Sequence, residues 1–468
     1  MKDKKKVIII GAGPSGLTAG WELLKDVDSP YEVTILEMSE VVGGMARTVI
    51  HNGDIMDVGG HRFFSKEKAV LEWWMAVFER KEAVKELLLR PKRVSIHYRN
   101  QFFDYPVTLN YENLKKLGCA KAVYVALSYM KYRLCPRKER SLEDFYVNRF
   151  GKKLYTMFFE TYTEKLCGVH PKWISPEWGR DRVRGLSVGK IIEKYFHKKG
   201  WQSSDALLSP SLFYYPKRGP GQLWERVAEE IREKGGLLRF NCQAVDLKQR
   251  EDGSIEAVLV KSASKVEELR GDIFISTMPL RALVKGMSHA PKDIRTLAEK
   301  LPYRSFVSIG LWVDRLNVDV PEQWIYIQEE TVKVCRVQFY KNWSPYLTKN
   351  PGLEFIAMEY FCEEGDAFWS LSEDACMKFA VQEAIQLGIL DKDVQVFDWH
   401  RERIAKAYPG YHDGFEGIEV IRNYLSGVEN LYCIGRNGLH QYWNMDKCMI
   451  SAWDAVEQIK QRGTSDTV

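Results

Sequence analysis

The chain has 468 residues, 45% of them hydrophobic and 12% aromatic, with a formal net charge of +5. That length exceeds one simple core and predicts two or three domains. The small charge excess argues against nucleic acid as a partner, and nine cysteines without a CxxC or Cys/His cluster argue against a disulfide framework or a zinc site. Scattered free thiols suit a reducing cytoplasm. The opening "MKDKKKVIII" holds only four apolar residues before a glycine, too few for a signal peptide or a membrane span.

In chain order, "KVIII" predicts a strand, "GAGPSG" a turn, "LTAGWELLKD" a helix and "YEVTILE" a second strand. This is a βαβ unit and implies a parallel sheet. Residues 67–200 read as mostly helical, and "CAKAVYVALSYM" (119–130) as a buried or amphipathic helix. "FYYPKRGPGQLWERVAEEIREKGG" (213–236) reads as a glycine-rich loop and an amphipathic helix. Two strands flank an "EDGS" hairpin turn, and "GDIFISTMP" (271–279) is a further strand. Residues 303–362 hold several β-rich runs that predict an antiparallel sheet. The C-terminal "NLYCIGRNG" and "DKCMISAWDAVEQIKQR" return to strand and helix.

The expected architecture is α/β. A Rossmann-like domain is built from residues 1–66, 213–285 and 416–468. A mainly helical segment (67–212) and an antiparallel substrate domain (286–415) interrupt it.

Gly11, Gly13 and Gly16 form GxGxxG between a strand and a helix, and Glu37 closes the next strand. That context predicts a dinucleotide, with pyrophosphate at the helix N-terminus and Glu37 on the ribose hydroxyls. The pair Gly43–Gly44, then Arg47, brings a second loop to the cofactor. "NLYCIGRNG" adds a third element with Gly435. Such a reach favours FAD over NAD and makes the expected Rossmann-like domain an FAD domain of the GR2 type. In "DVGGHRFFSK" (57–66), Gly59 and Gly60 are expected to let backbone approach a flat ring. Met449 is expected to open the last helix towards the flavin, with Asp446 as its N-cap.

These blocks resemble the FAD superfamily of amine oxidases, protoporphyrinogen oxidase and UDP-galactopyranose mutase, and most of all the mutases. The resemblance rests on "DVGGH", "YTEKLCGVHPKWISPEWGRDRV" (162–183), "YPKRGPGQLWERVA" (215–228), "WIYIQEETVKVCRVQFYKNWSPY" (324–346), "AYPGY" (407–411) and "GRNGLHQYWNMDKCM" (435–449). It implies that reduced FAD acts through N5 to isomerise a nucleotide-sugar between pyranose and furanose with no net redox change. NAD(P)H is the candidate reductant.

The resemblance places His61 against the flavin and makes Arg336 and Arg436 catalytic, forking onto a diphosphate. It adds Val245 to the cofactor contacts. Tyr105, Arg182, Tyr326, Arg336, Tyr408 and Tyr442 become substrate contacts. Cys167 stands where the mutases carry tryptophan, and "DYPVTLN" lacks their glutamine, so the sugar is left open. The alternative is a net oxidoreductase of the amine oxidase or protoporphyrinogen oxidase type, acting on an amine or polycyclic substrate. A homo-oligomer is left open. No metal site is expected.

Overall fold

The computed structural model describes residues 4–80, 84–105, 111–182, 211–263 and 265–465. One five-stranded parallel sheet runs in the order Leu431–Cys433, Ile273–Ser276, Lys5–Ile10, Tyr31–Leu36, Leu237–Arg239. Parallel sheets are covered on both faces, which is why the first strand is an unbroken apolar run. Val7 to Ile10 are all buried. Helix Pro14–Leu24 packs against helices Gly221–Glu233 and Met445–Ser465. Three distant chain segments thus build one lobe. At Gly16 the first helix presses on its own entry turn, and a Cβ would lie 1.9 Å from the Gly11 carbonyl oxygen.

A seven-stranded sheet forms the second lobe, in the order Val396–Pro409, Tyr303–Val313, Glu354–Cys362, Arg336–Phe339, Trp324–Ile327, Val94–Tyr98, Gln101–Asp104. Its pairs are antiparallel except for Trp324–Ile327 with Val94–Tyr98, which run parallel. The sheet is therefore mixed at one end.

Two of these features depart from the sequence expectations. Strands Leu87–Pro91, Val94–Tyr98 and Gln101–Asp104 fall in the span expected to be mostly helical. The last two are joined by Arg99–Asn100, both at positive φ (52° and 56°), a hairpin turn without the glycine that normally announces one. Strand Val396–Pro409 is highly charged. It pairs only with Tyr303–Val313, and such edge strands carry charge that blocks further pairing.

Helices Tyr111–Leu117, Cys119–Leu134, Leu142–Tyr155, Thr161–Cys167 and Pro176–Arg182 pack on one another and, through Tyr111–Leu117 and Thr161–Cys167, on the seven-stranded sheet. Helix Cys119–Leu134 buries only Val125; its apolar positions Val123, Leu127, Met130 and Leu134 face outward. Among the described residues, no helix is long and apolar enough to cross a membrane.

The loop after Asp57 is anchored between the lobes. Tyr215 Oη donates to Asp57 Oδ2 and Thr48 Oγ1 donates to Oδ1 at 3.2 Å. Tyr340 Oη donates to the Asp57 carbonyl at 2.7 Å. Burial pushes the Asp57 carboxyl up to about 7, against the opposing pull of the Tyr215 and Thr48 hydroxyls. An acid raised in the folded state loses stability as pH climbs from its unfolded value, near 3.9, through its folded one. Asp57→Asn should remove that loss. In urea titrations the variant should gain stability relative to the parent as pH rises from 4 to 7; a constant difference would contradict the assignment.

Candidate functional site

The glycine turn and the second loop close on each other. Gly43 N donates to the Ala12 carbonyl at 2.9 Å, and a Cβ on Gly44 would lie 3.2 Å from Gly13 Cα. Glu37 is buried. Its Oε2 accepts from Ala12 N at 2.9 Å, and its Oε1 accepts from Ser39 N at 2.9 Å and Ser39 Oγ at 2.8 Å. Each oxygen of a carboxylate accepts more than one bond, so ribose hydroxyls can still be received. Gly13 caps helix Pro14–Leu24 with no side-chain bond, leaving its first amides directed at an anion.

The other elements converge on the same helix. A Cβ at Gly435 would lie 2.4 Å from Ser15 Oγ, and Gly435 N donates to Ser451 Oγ at 3.0 Å. Cys242 N donates to the Glu37 carbonyl at 2.9 Å, and Val245 follows three residues on, beside a bulge. Arg47 donates through Nη1 to the Gly44 carbonyl at 3.1 Å and through Nη2 to Glu402 at 3.0 Å. An uncapped helix start, a ribose acid and a second glycine loop fit the diphosphate, ribose and extended length of FAD.

At the last helix the structure corrects the expectation. The helix begins at Met445, not at Met449. The Asn444 carbonyl accepts from Cys448 N at 3.1 Å, so Asn444 opens the helix and Asp446 lies inside its first turn. Asp446 Oδ2 accepts from Ser65 Oγ at 3.1 Å. Met449 is fully buried, and its sulfur accepts from Trp74 Nε1 at 3.1 Å. Its side chain is core.

Gly59 adopts φ +88°, a conformation that favours glycine, and a Cβ there would lie 3.6 Å from Arg336 Nη2. Gly60 is different. Its Cβ position is filled by Gln338 Nε2 at 2.9 Å and the Trp343 ring at 3.1 Å, so protein packing itself requires the glycine. His61 Nε2 contacts the Val58 carbonyl at 3.0 Å. Burial, then the charge of Arg436, pull the imidazole down to about 4. It is neutral at physiological pH.

Arg336 lies at the centre of the residues expected to meet substrate. Its Nε donates to Glu359 Oε2, and Glu359 is wholly buried, also accepting from Gln338 Nε2 at 3.1 Å. Burial is the largest single influence and would lower the guanidinium, but Glu359 together with Tyr162, Tyr408 and Tyr326 outweighs it and holds Arg336 well above its ordinary value. Tyr162, Tyr408 and Tyr326 surround the same charge. Tyr326 pairs with Arg336 across the strands and meets Tyr105 at 4.8 Å and Tyr162 at 5.1 Å, ring to ring.

Arg436 does not fork freely as expected. Its Nε donates to the Trp443 carbonyl at 2.7 Å and its Nη1 faces the Met45 sulfur at 3.4 Å and the Ala407 carbonyl at 3.5 Å. Its guanidinium lies 5.0 Å from the Tyr408 ring and 5.3 Å from the Tyr442 ring, which stack on each other at 4.9 Å. It positions those tyrosines. The Arg182 side chain lies outside the described residues.

Sequence reasoning missed Asp57, Tyr162, Glu359 and Glu402. Glu359 carried a signal, an acid amid the apolar run "FIAMEYF", because a buried carboxylate requires a cation. Nothing local marked the other three.

The profile of flavin-containing amine oxidoreductases matches residues 14–460. An L-amino-acid oxidase of Crotalus adamanteus is 24% identical over 354 residues, covering 69% of this chain and 63% of that protein. The chain thus spans under two thirds of that oxidase's length. A mitochondrial protoporphyrinogen oxidase of Nicotiana tabacum is 24% identical over 343 residues, covering 68% of this chain and 67% of that one. A reduced UDP-galactopyranose mutase structure superposes with a TM-score of 0.80 at 21% identity, covering 98% of this chain and 95% of the other; at that identity the likeness is one of fold. With a profile match running nearly end to end, the chain belongs to the flavin-containing amine oxidoreductase family, which implies FAD as its cofactor.

Proposed function

We propose that this protein isomerises the sugar ring of a nucleotide-sugar between pyranose and furanose, with no net redox change. The observation that carries the reading is the placement of Arg336, held by Glu359, among Tyr162, Tyr326 and Tyr408 and beside Gly59. A glycosyl transfer of this kind needs a cationic seat that keeps the departing diphosphate bound, and hydroxyls that orient a sugar without attacking it. Arg336 retains an outer edge for a phosphate after Glu359 takes its Nε. Tyr326, Tyr408 and Tyr442 present flat faces and hydroxyls to the sugar, and Tyr105 extends that wall. Neutral His61 shapes the flavin pocket without adding charge. Bound FAD, reduced by NAD(P)H, supplies the nucleophile.

The matches to amino-acid and protoporphyrinogen oxidases favour a second reading, net oxidation of an amine or polycyclic substrate.

One pair of assays separates them. The dithionite-reduced holoenzyme should convert UDP-galactose to its furanose isomer, resolved by anion-exchange chromatography. Absence of isomerisation with any sugar nucleotide, together with oxygen uptake on amino acids, would overturn the mutase reading. Glu359→Gln should raise KM for the nucleotide-sugar roughly 10-fold or more while leaving kcat closer to the parent, and should cost about 3 kcal/mol of stability, because it unpairs a buried charge; an unchanged KM would refute the positioning of Arg336. For His61, the folded imidazole is depressed to about 4, so the unfolded chain takes up its proton first as pH falls. Stability should drop between pH 6.5 and 4. Thermal midpoints of His61→Gln should decline less over that window than those of the parent.

A further inference from the structure

We infer that Arg62 and Lys92 form an anion-binding subsite of the substrate cleft, separate from Arg336, which takes a carboxylate or phosphate of the substrate. Arg62 directly follows His61 in the flavin loop, and its guanidinium carbon lies 4.9 Å from the Phe64 ring centre. Its Nη1 is buried and has no hydrogen-bond partner. Lys92 begins the approach to strand Val94–Tyr98, fixed by a bond from its backbone N to the Ser211 carbonyl at 2.8 Å. Its Nζ lies 5.5 Å from the Tyr105 ring, and Tyr105 meets Tyr326 at 4.8 Å. Tyr326 pairs in turn with Arg336. Arg62 lies within electrostatic reach of the same Tyr326 and Tyr105, so the two cations share the two tyrosines.

The argument is one of charge. Arg336 has Glu359, and Arg47 has Glu402. Among the described residues, no carboxylate makes an ion pair or hydrogen bond with the Arg62 or Lys92 side chain. Instead, burial and then the Arg62 charge pull the Lys92 ammonium down to about 8. Like charges brought together out of water are unfavourable unless an anion completes them. A buried guanidinium edge with no partner is likewise costly. A wall that served packing alone would carry apolar groups at these positions. Supplying two oxygens of one anion would satisfy Arg62 Nη1, remove the repulsion and return Lys92 towards its ordinary value.

The identification of the anion as part of a nucleotide-sugar rests on the function proposed above, but the subsite itself does not, and the test keeps them apart. The holoenzyme, reductively methylated with ¹³C, gives a dimethyl-lysine signal for Lys92 that is assigned by its loss in Lys92→Met. Inorganic pyrophosphate, UDP-galactose and UDP-galacturonate are the probes. At least one should shift the Lys92 signal saturably and raise its titration midpoint, with affinity falling roughly 10-fold or more in Arg62→Gln. UDP-galacturonate binding tighter than UDP-galactose assigns the sugar carboxylate; equal binding of the two with Lys92 shifted by both assigns the phosphates. A Lys92 shift by pyrophosphate without binding of either UDP-sugar upholds the subsite and counts against the nucleotide-sugar reading. If no probe moves the Lys92 signal, or if Arg62→Gln and Lys92→Met bind every probe as the parent does, the proposal is overturned. Circular dichroism and retained flavin show that the variants are folded.

Discussion

Glu359 has no contact with solvent, and much of the substrate wall follows from that one carboxylate. A charge so placed is tolerated only with a partner and filled lone pairs. Arg336 supplies the first, and Gln338 fills part of the rest. Gln338 in turn accepts from Trp343 Nε1 at 3.1 Å, and the space beside it belongs to Gly60. One ion pair therefore links two strands of the mixed sheet, and the short helix that carries Trp343, to the loop that carries His61. Arg336 gives up one edge to this network and keeps the other for the cleft. A buried pair of this kind is weak evidence of added stability, because desolvation offsets the attraction. Its value is that the guanidinium cannot turn away.

A second linkage joins the lobes from the other side. Glu402 sits on the charged edge strand and takes Arg47 on one oxygen and His400 on the other, at 3.0 Å and 2.8 Å. Arg47 also holds the loop of Gly43 and Gly44. The same strand carries Tyr408 next to its last residue, in the ring stack beside Arg436. Cofactor loop and substrate wall are thus tied through side chains that a ligand does not need to contact.

The dinucleotide half was legible in the sequence because its chemistry is local. The glycines, the ribose acid and the helix start lie within one βαβ unit, and each is dictated by backbone sterics at its own position. The substrate half was legible only in its individual residues. Arg336 and Tyr326 could be named from a resemblance, but their juxtaposition comes from strand register. Glu359 lies 23 residues beyond Arg336 in the chain and directly opposite it in the sheet. The charged strand Val396–Pro409 was missed for a related reason. Its residues suit solvent, and only its pairing partner makes it a strand. Met449 failed differently, since a helix that starts one turn early moves a supposed cofactor contact into the core.

The cations of the cleft differ in how far the protein has already neutralised them, and that ordering bears on what the cleft can accept. Arg436 is taken up by carbonyls and aromatic faces. Arg336 is half satisfied by Glu359. Arg62 and Lys92 have no acid bonded to them among the described residues. A substrate with one diphosphate and no other charge would engage Arg336 and leave the last pair repelling each other. A substrate with a further anionic group, or a diphosphate long enough to reach both seats, would satisfy the entire wall. The amine of a simple amine substrate would meet only positive charge along this path. On the proposed reading, the uneven distribution of counter-ions, more than any single residue, is what would incline the site towards anionic ligands.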